Sequence, residues 1–347
     1  MKYSFSNDYS EGAHPSIMSA LQESNLIQSV GYGLDEYCEM AKKSIQKELE
    51  CENCDIHFLV GGTQANTTII ASALRPFECV ISADSGHINV HETGAIEATG
   101  HKVVIADSLH GKLTIEGIRK AICFHEDEHM VKPSMVYISN ATEVGTIYTK
   151  EELKNIHEVC KELGLYVFMD GARLGVALCS EDNDVCMSDL CTYCDVFYIG
   201  GTKNGAMFGE AVVIVNDKLK ENFRYMIKQH GGMLAKGRLL GIQFHALFQN
   251  NLYYDLAKHA NEMAQQIKDT MKSCGIKFFM ESTTNQLFPI LPNTLIKALE
   301  KDYLFQNWCT IDDTSRAVRF VTSWATSKEA VDVFCEDFKK CICSEGV

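Results

Sequence analysis

The chain has 347 residues, 46% hydrophobic and 22% charged, an ordinary globular composition with room for one large domain plus a smaller one. Its net charge of -14 argues against nucleic acid or an anionic membrane as partner, although a local basic pocket for one phosphate stays compatible. No stretch approaches the roughly 18 apolar residues of a membrane span, and the first eight residues lack the apolar run of a secretory signal, so the fifteen cysteines are expected as reduced thiols in the cytoplasm.

Asp35 is placed to cap a helix over 36–49, in which Cys38, Ala41, Ile45 and Leu49 recur at helical spacing. Apolar strand candidates follow near 55–60, 79–83, 102–106, 134–138, 165–169, 195–199 and 211–215. Several are apolar throughout, as strands covered on both faces should be. Helical patterns at 65–74, 114–124 and 150–163 lie between them, and Thr149 with Glu152 reads as a capping box for the last. This alternation predicts an α/β fold with a largely parallel sheet. From 217 to 274 helices dominate, with a long one near 255–273. Strands at 276–280, 286–291 and 318–324 then alternate with helices at 293–301 and 327–342, which predicts a smaller α+β domain. The expected division is 1–250 for the large domain with its N-terminal arm and 251–347 for the small one.

Candidate chemistry sits at the ends of the predicted strands. Leu59-Val60-Gly61-Gly62-Thr63 leads from a strand through a glycine turn into a helix start, where free amides and the Thr63 hydroxyl can hold a phosphate. The next strand runs into a turn carrying His87 and His91, one able to stack on a ring, the other to act as acid or base. Tyr166-Val167-Phe168-Met169 ends in Asp170, followed by Gly171-Ala172-Arg173. Val196-Phe197-Tyr198-Ile199 ends in Gly200-Gly201-Thr202-Lys203. An acid and a lysine at two successive strand ends suit pyridoxal phosphate, whose aldehyde needs an amine and whose ring nitrogen needs a carboxylate. Taken singly, each is more often a surface lysine or a solvated turn residue. Arg319 stands on an apolar strand opposite Val318 and Phe320, where a guanidinium can take a carboxylate bidentately or form a structural ion pair.

No metal is expected. The pairs Cys51/Cys54 and Cys191/Cys194 lie much farther apart than the roughly 15–20 residues of a zinc ribbon, and His125 and His129 flank a polar run without an apolar face.

Together these motifs resemble the threonine aldolase group of the fold-type I pyridoxal phosphate enzymes, nearly end to end, from Phe5-Ser6-Asn7-Asp8 to Val318-Arg319-Phe320-Val321-Thr322-Ser323. The resemblance implies an aspartate aminotransferase-like fold with a mostly parallel seven-stranded sheet. It implies Lys203 as the Schiff-base lysine after Thr202, Asp170 on the pyridine nitrogen, Gly62 and Thr63 on the phosphate, and His87 over the ring. It places Arg173 near the ring and the substrate carboxylate, with Ser6 and Arg319 also on that carboxylate. Tyr32 and Lys228 would reach the site of a neighbouring subunit in a homodimer or homotetramer. Many members carry a histidine on the substrate hydroxyl after the fifth sheet strand; Ser139-Asn140-Ala141-Thr142-Glu143-Val144-Gly145 has none. The implied reaction splits a β-hydroxy-α-amino acid into glycine and an aldehyde. The alternatives are a β-eliminating lyase on the same scaffold and a non-catalytic protein of this fold. A dinucleotide-binding protein is disfavoured, because no Gly-x-Gly-x-x-Gly follows the first strand.

Overall fold

The computed structural model describes residues 2–345; Met1 and residues 346–347, the outer ends of the two expected domains, lie outside it. Each of the seven apolar runs forms a strand: β1 (Asp55–Leu59), β2 (Glu78–Ala83), β3 (Val103–Ala106), β4 (Lys132–Ser139), β5 (Tyr166–Asp170), β6 (Val196–Gly200) and β7 (Glu210–Ile214). They make one sheet in the order β1-β7-β6-β5-β4-β2-β3. Strand β7 pairs antiparallel with β1 and β6, and every other pairing is parallel. On β6, Phe197 and Ile199 join a core that includes Ile45 and Leu49, while Val196 and Tyr198 join another that includes Ile69 and Ile70. Both faces are therefore covered, which is why the strand has no polar alternation. Burying each such side chain contributes about 1.5–3 kcal/mol.

The longer helices that accompany these strands are α1 (Pro15–Ser24), α2 (Glu36–Leu49), α3 (Gly62–Ala73), α4 (Ile115–Phe124) and α5 (Lys150–Leu163). Asp35 accepts the Cys38 amide at 2.9 Å, and Thr149 and Glu152 exchange the two bonds of a capping box. Helix α1 has no counterpart in the sequence reading, because only Ile17 and Ser24 on it are buried and its apolar stripe is faint. Helices α6 (Arg238–Leu247) and α7 (Leu252–Ser273) follow the sheet. The long α7 begins with Tyr253 and Leu256 in the first core and ends with Ile267 and Met271 in another.

That other core lies under a four-stranded antiparallel sheet of β8 (Phe278–Met280), β9 (Gln286–Pro292), β10 (Gln306–Thr310) and β11 (Ser315–Val321), in the order β8-β9-β11-β10. Helices α8 (Asn293–Leu299) and α9 (Lys328–Glu345) complete it. Strand β10 went unread because it is a half-exposed edge with Gln306 and Asn307 in its pattern. Strand β11 runs three residues earlier than expected at each end, and Thr322 and Ser323 lie beyond it. Tyr3 and Ser4 pair with Tyr303 and Leu304, and Phe5 packs into the same core. No helix among the described residues is long and apolar enough to cross a membrane.

Because β1, β2, β4, β5 and β6 run parallel, their carboxyl ends share one edge, and the antiparallel β7 starts there. Ligands of open α/β sheets bind at that edge.

Candidate active site

Asp170 is the last residue of β5, buried between β4 and β6. Its Oδ2 accepts the Tyr137 hydroxyl at 2.6 Å and the Asn66 amide at 3.2 Å, and its Oδ1 accepts the Ala172 N–H at 2.9 Å. Burial pushes this carboxyl up, but the His87 charge and the Tyr137 and Tyr198 hydroxyls outweigh burial and hold it below its ordinary value. It stays an anion. The turn after it abuts the turn carrying Lys203, with the Gly200 N–H donating to the Gly171 carbonyl at 2.9 Å. A Cβ on Gly171 would stand 1.9 Å from the Tyr198 carbonyl oxygen, and one on Gly200 2.5 Å from that of Ala172. Only glycine lets the two turns meet. Burial, reinforced by Arg173, pushes the Lys203 amine below its ordinary value, against the pull of Asp8, Asp170 and Glu210.

Arg173 lies beside this pair, already engaged. Its Nε and Nη2 donate to Asp8 at 2.7 and 3.0 Å, and Asn285 donates to the same carboxylate at 2.9 Å. Arg319 differs. Its Nη2 donates to the Gln306 Oε1 at 2.5 Å and the Ser6 carbonyl at 3.4 Å, and its Nη1 to the Gln286 Oε1 at 3.4 Å. Its buried Nε has no partner among the described residues. Burial, then the Arg173 charge, lowers it to about 10. A part-buried guanidinium that hydrogen-bonds only neutral groups, with the Trp308 ring centroid 5.8 Å away, is incompletely compensated.

His87 opens the wall on the other side. Its Nδ1 bonds Glu92 at 2.7 Å, and Glu92 accepts the Asn66 amide at 2.6 Å. The His87 backbone N–H donates to Glu143 at 3.0 Å, and Glu143 also accepts the Ser139 hydroxyl at 2.7 Å. Burial pushes Glu143 up. Ser139 then reaches the Tyr137 oxygen at 3.4 Å, so the polar groups run in a closed ring from His87 through Glu92, Asn66, Asp170, Tyr137, Ser139 and Glu143. The His91 ring centroid lies 5.5 Å from that of His87.

Helix α3 starts at Gly62 with no side-chain cap, which leaves its first amides for a ligand. A Cβ on Gly62 would come within 3.0 Å of the Tyr198 hydroxyl. Thr202 donates its hydroxyl to Glu210 at 3.0 Å. Tyr32 and Lys228 meet one another, the Lys228 Nζ 5.2 Å from the Tyr32 ring centroid, on a surface shared with Arg224, Tyr225 and Met233. Gln64 in the first turn of α3 donates to the His230 carbonyl at 3.3 Å and ties that surface to the helix start.

Asp8, Asn66, Glu92, Tyr137, Tyr198, Glu143, Glu210 and Asn285 were not read as site residues. One signal was present: Glu143 and Glu210 are isolated acids just past and at the start of apolar runs. The distant cysteines also come together. Cys54 donates to the Cys51 carbonyl at 3.1 Å, and the Cys191 thiol stands beside Cys51 and Cys54. The described residues hold no group of three or more His, Cys, Asp or Glu arranged for a metal ion.

Parallel strands that deliver a carboxylate, a lysine, a histidine and a helix start to one edge define a fold-type I pyridoxal phosphate enzyme. The beta-eliminating lyase family model matches residues 12–293. The low specificity L-threonine aldolase of a Pseudomonas species is 32% identical over 343 residues, covering 96% of each chain. The solved threonine aldolase of Leishmania major is 49% identical, with a TM-score of 0.97 over 98% of this chain and 99% of that one. Aspartate aminotransferase of Thermus thermophilus, 15% identical, shares the fold with a TM-score of 0.72 over 98% of this chain and 91% of that one. The chain belongs to the beta-eliminating lyase family, in its threonine aldolase branch, and its cofactor is pyridoxal phosphate.

Proposed function

We propose that the chain is an aldolase cleaving L-threonine, L-allo-threonine or related β-hydroxy-α-amino acids to glycine and an aldehyde. The observation that supports this reading is a part-buried Arg319 whose hydrogen bonds go only to neutral groups, within electrostatic reach of Arg173 and Asp8, which also act on the Lys203 amine.

The residues fit the cofactor. The uncapped amides at Gly62 and Thr63 suit its phosphate, with Thr202 nearby, Lys203 suits its aldehyde, Asp170 its ring nitrogen and His87 its ring face. When bound, it takes up the electron pair freed as the Cα–Cβ bond breaks. Asp170 would keep the cofactor's ring nitrogen protonated. Arg319, with Ser6 and the Arg173 Nη1 that the pair with Asp8 leaves over, would hold the substrate carboxylate and thereby fix which bond at Cα is aligned to break. The proton of the β-hydroxyl passes to His87, to His91 or to a water they hold. Loading the protein with pyridoxal phosphate and supplying threonine should release glycine and acetaldehyde. Pyruvate and ammonia from an amino acid with a leaving group at Cβ, in place of glycine, would establish β-elimination instead.

Arg319→Lys keeps the charge and loses the planar fork. Losing one charge-assisted hydrogen bond of about 1.5–3 kcal/mol should lower kcat/KM for threonine about tenfold or more, mainly through KM. Cofactor affinity should not change. Unaltered threonine kinetics, or a variant that does not fold, would make the arginine structural.

The reading includes a cytoplasmic homodimer or homotetramer in which Tyr32 and Lys228 complete the neighbour's site. Mixing inactive Lys203→Ala with inactive Lys228→Ala subunits should then restore part of the activity, because one site of each mixed dimer keeps both residues. No recovery after verified subunit exchange would refute shared sites.

A further inference from the structure

Glu210 is the first residue of β7, and because β7 is antiparallel its side chain arrives at the site edge from the opposite direction to the other strands. It is buried, and its two carboxylate oxygens take separate donors. Oε2 accepts the Gly201 N–H at 3.1 Å and Oε1 accepts the Thr202 hydroxyl at 3.0 Å. Thr202 in turn accepts the Gly209 N–H at 3.0 Å. The residues clamped are the two immediately before Lys203. Both of these donors are neutral, whereas Asp8 is paired with Arg173.

We propose that Glu210 is a positioning residue for the reaction, clamping the Gly201–Thr202 turn to aim the Lys203 amine and supplying the negative counter-charge that amine meets when protonated. This rests on Lys203 being the cofactor lysine. The groups that bear on Glu210 are Lys203 on the clamped turn, Asp170 at the end of β5, Tyr198 on β6 and Tyr253 on α7. Arg173 and Asp8 also act on Lys203. Burial raises Glu210 to about 8 even with Lys203 pulling it down, so its counter-charge is fully present only above that range. The two ionisations are therefore linked: the amine holds its proton more firmly while Glu210 is charged.

The test uses the full chain in two states. In the loaded protein, the lysine-bound cofactor absorbance is followed against pH. In the cofactor-free protein, acylation of Lys203 by an amine-specific reagent is followed against pH by peptide mass spectrometry. Glu210→Gln removes the charge, so the Lys203 transition should move to lower pH by roughly one unit or more, the usual effect of losing a close counter-charge. Glu210→Asp keeps the charge but shortens the clamp; its transition should stay near wild type while kcat falls about tenfold or more, as a displaced reacting group predicts. Wild-type profiles for Glu210→Gln overturn the counter-charge. Should that variant not fold, a wild-type kcat in Glu210→Asp overturns the clamp. Borohydride labelling elsewhere than Lys203 in the wild type would instead defeat the reading beneath the proposal, so the two failures are separable.

Discussion

Lys203→Ala should abolish covalent attachment of pyridoxal phosphate and lower turnover at least about a thousandfold, roughly 4 kcal/mol in the barrier. The lysine is delivered by a turn that Gly171 and Gly200 allow to press against the Asp170 turn. Burial and Arg173 reduce its affinity for a proton, which raises the share of neutral amine able to attack an aldehyde. Alanine leaves that pocket without its nucleophile. The turn itself is held by backbone bonds and Glu210, so the fold and some non-covalent binding should persist. Borohydride reduction followed by peptide mapping checks this: wild type should carry the cofactor on the peptide containing Lys203, and the variant on none. Modification of another lysine in the wild type would refute the assignment.

The strands that carry Asp170 and Lys203 were legible because β5 and β6 are buried on both faces and so are apolar throughout. Their ends could be read directly, and the candidate residues stand at the ends. What surrounds them was not legible. Asp8 and Arg173 are 165 residues apart, and only the fold sets one against the other. Asn66 was passed over because a polar residue in the first turns of a helix usually faces water, whereas here it bridges Glu92 and Asp170. Glu210 opens an apolar run and resembles a solvated strand start until β7 turns out to be antiparallel and interior. The cysteine pairs were judged by their distance in sequence, which the packing of α2 against the segment around Cys191 overrides. Periodicity reports the environment of a residue's own element. It is silent on partners contributed by another.

Asp170→Asn should leave the protein folded and reduce turnover by orders of magnitude. The amide has nearly the shape of the carboxylate, and with its oxygen in the Oδ2 position it still accepts both the Tyr137 hydroxyl and the Asn66 amide, losing only the bond from the Ala172 N–H. What is lost is charge. A neutral amide cannot hold the proton on the cofactor's ring nitrogen, so the electrons released at Cα meet a much poorer sink. The pH dependence has a definite sign. Asp170 sits below its ordinary value in the folded protein, so it favours folding above the unfolded carboxyl range, and this contribution is lost as pH falls through the folded value. The stability of wild type relative to Asp170→Asn should therefore decline on acidification, while the deficit in turnover stays large at neutral pH. Denaturant unfolding at several pH values, together with threonine turnover at neutral pH, measures both. Near wild-type turnover in the variant would mean that another group pairs with the ring nitrogen, and a stability difference independent of pH would mean that Asp170 is not the anion its hydrogen bonds describe.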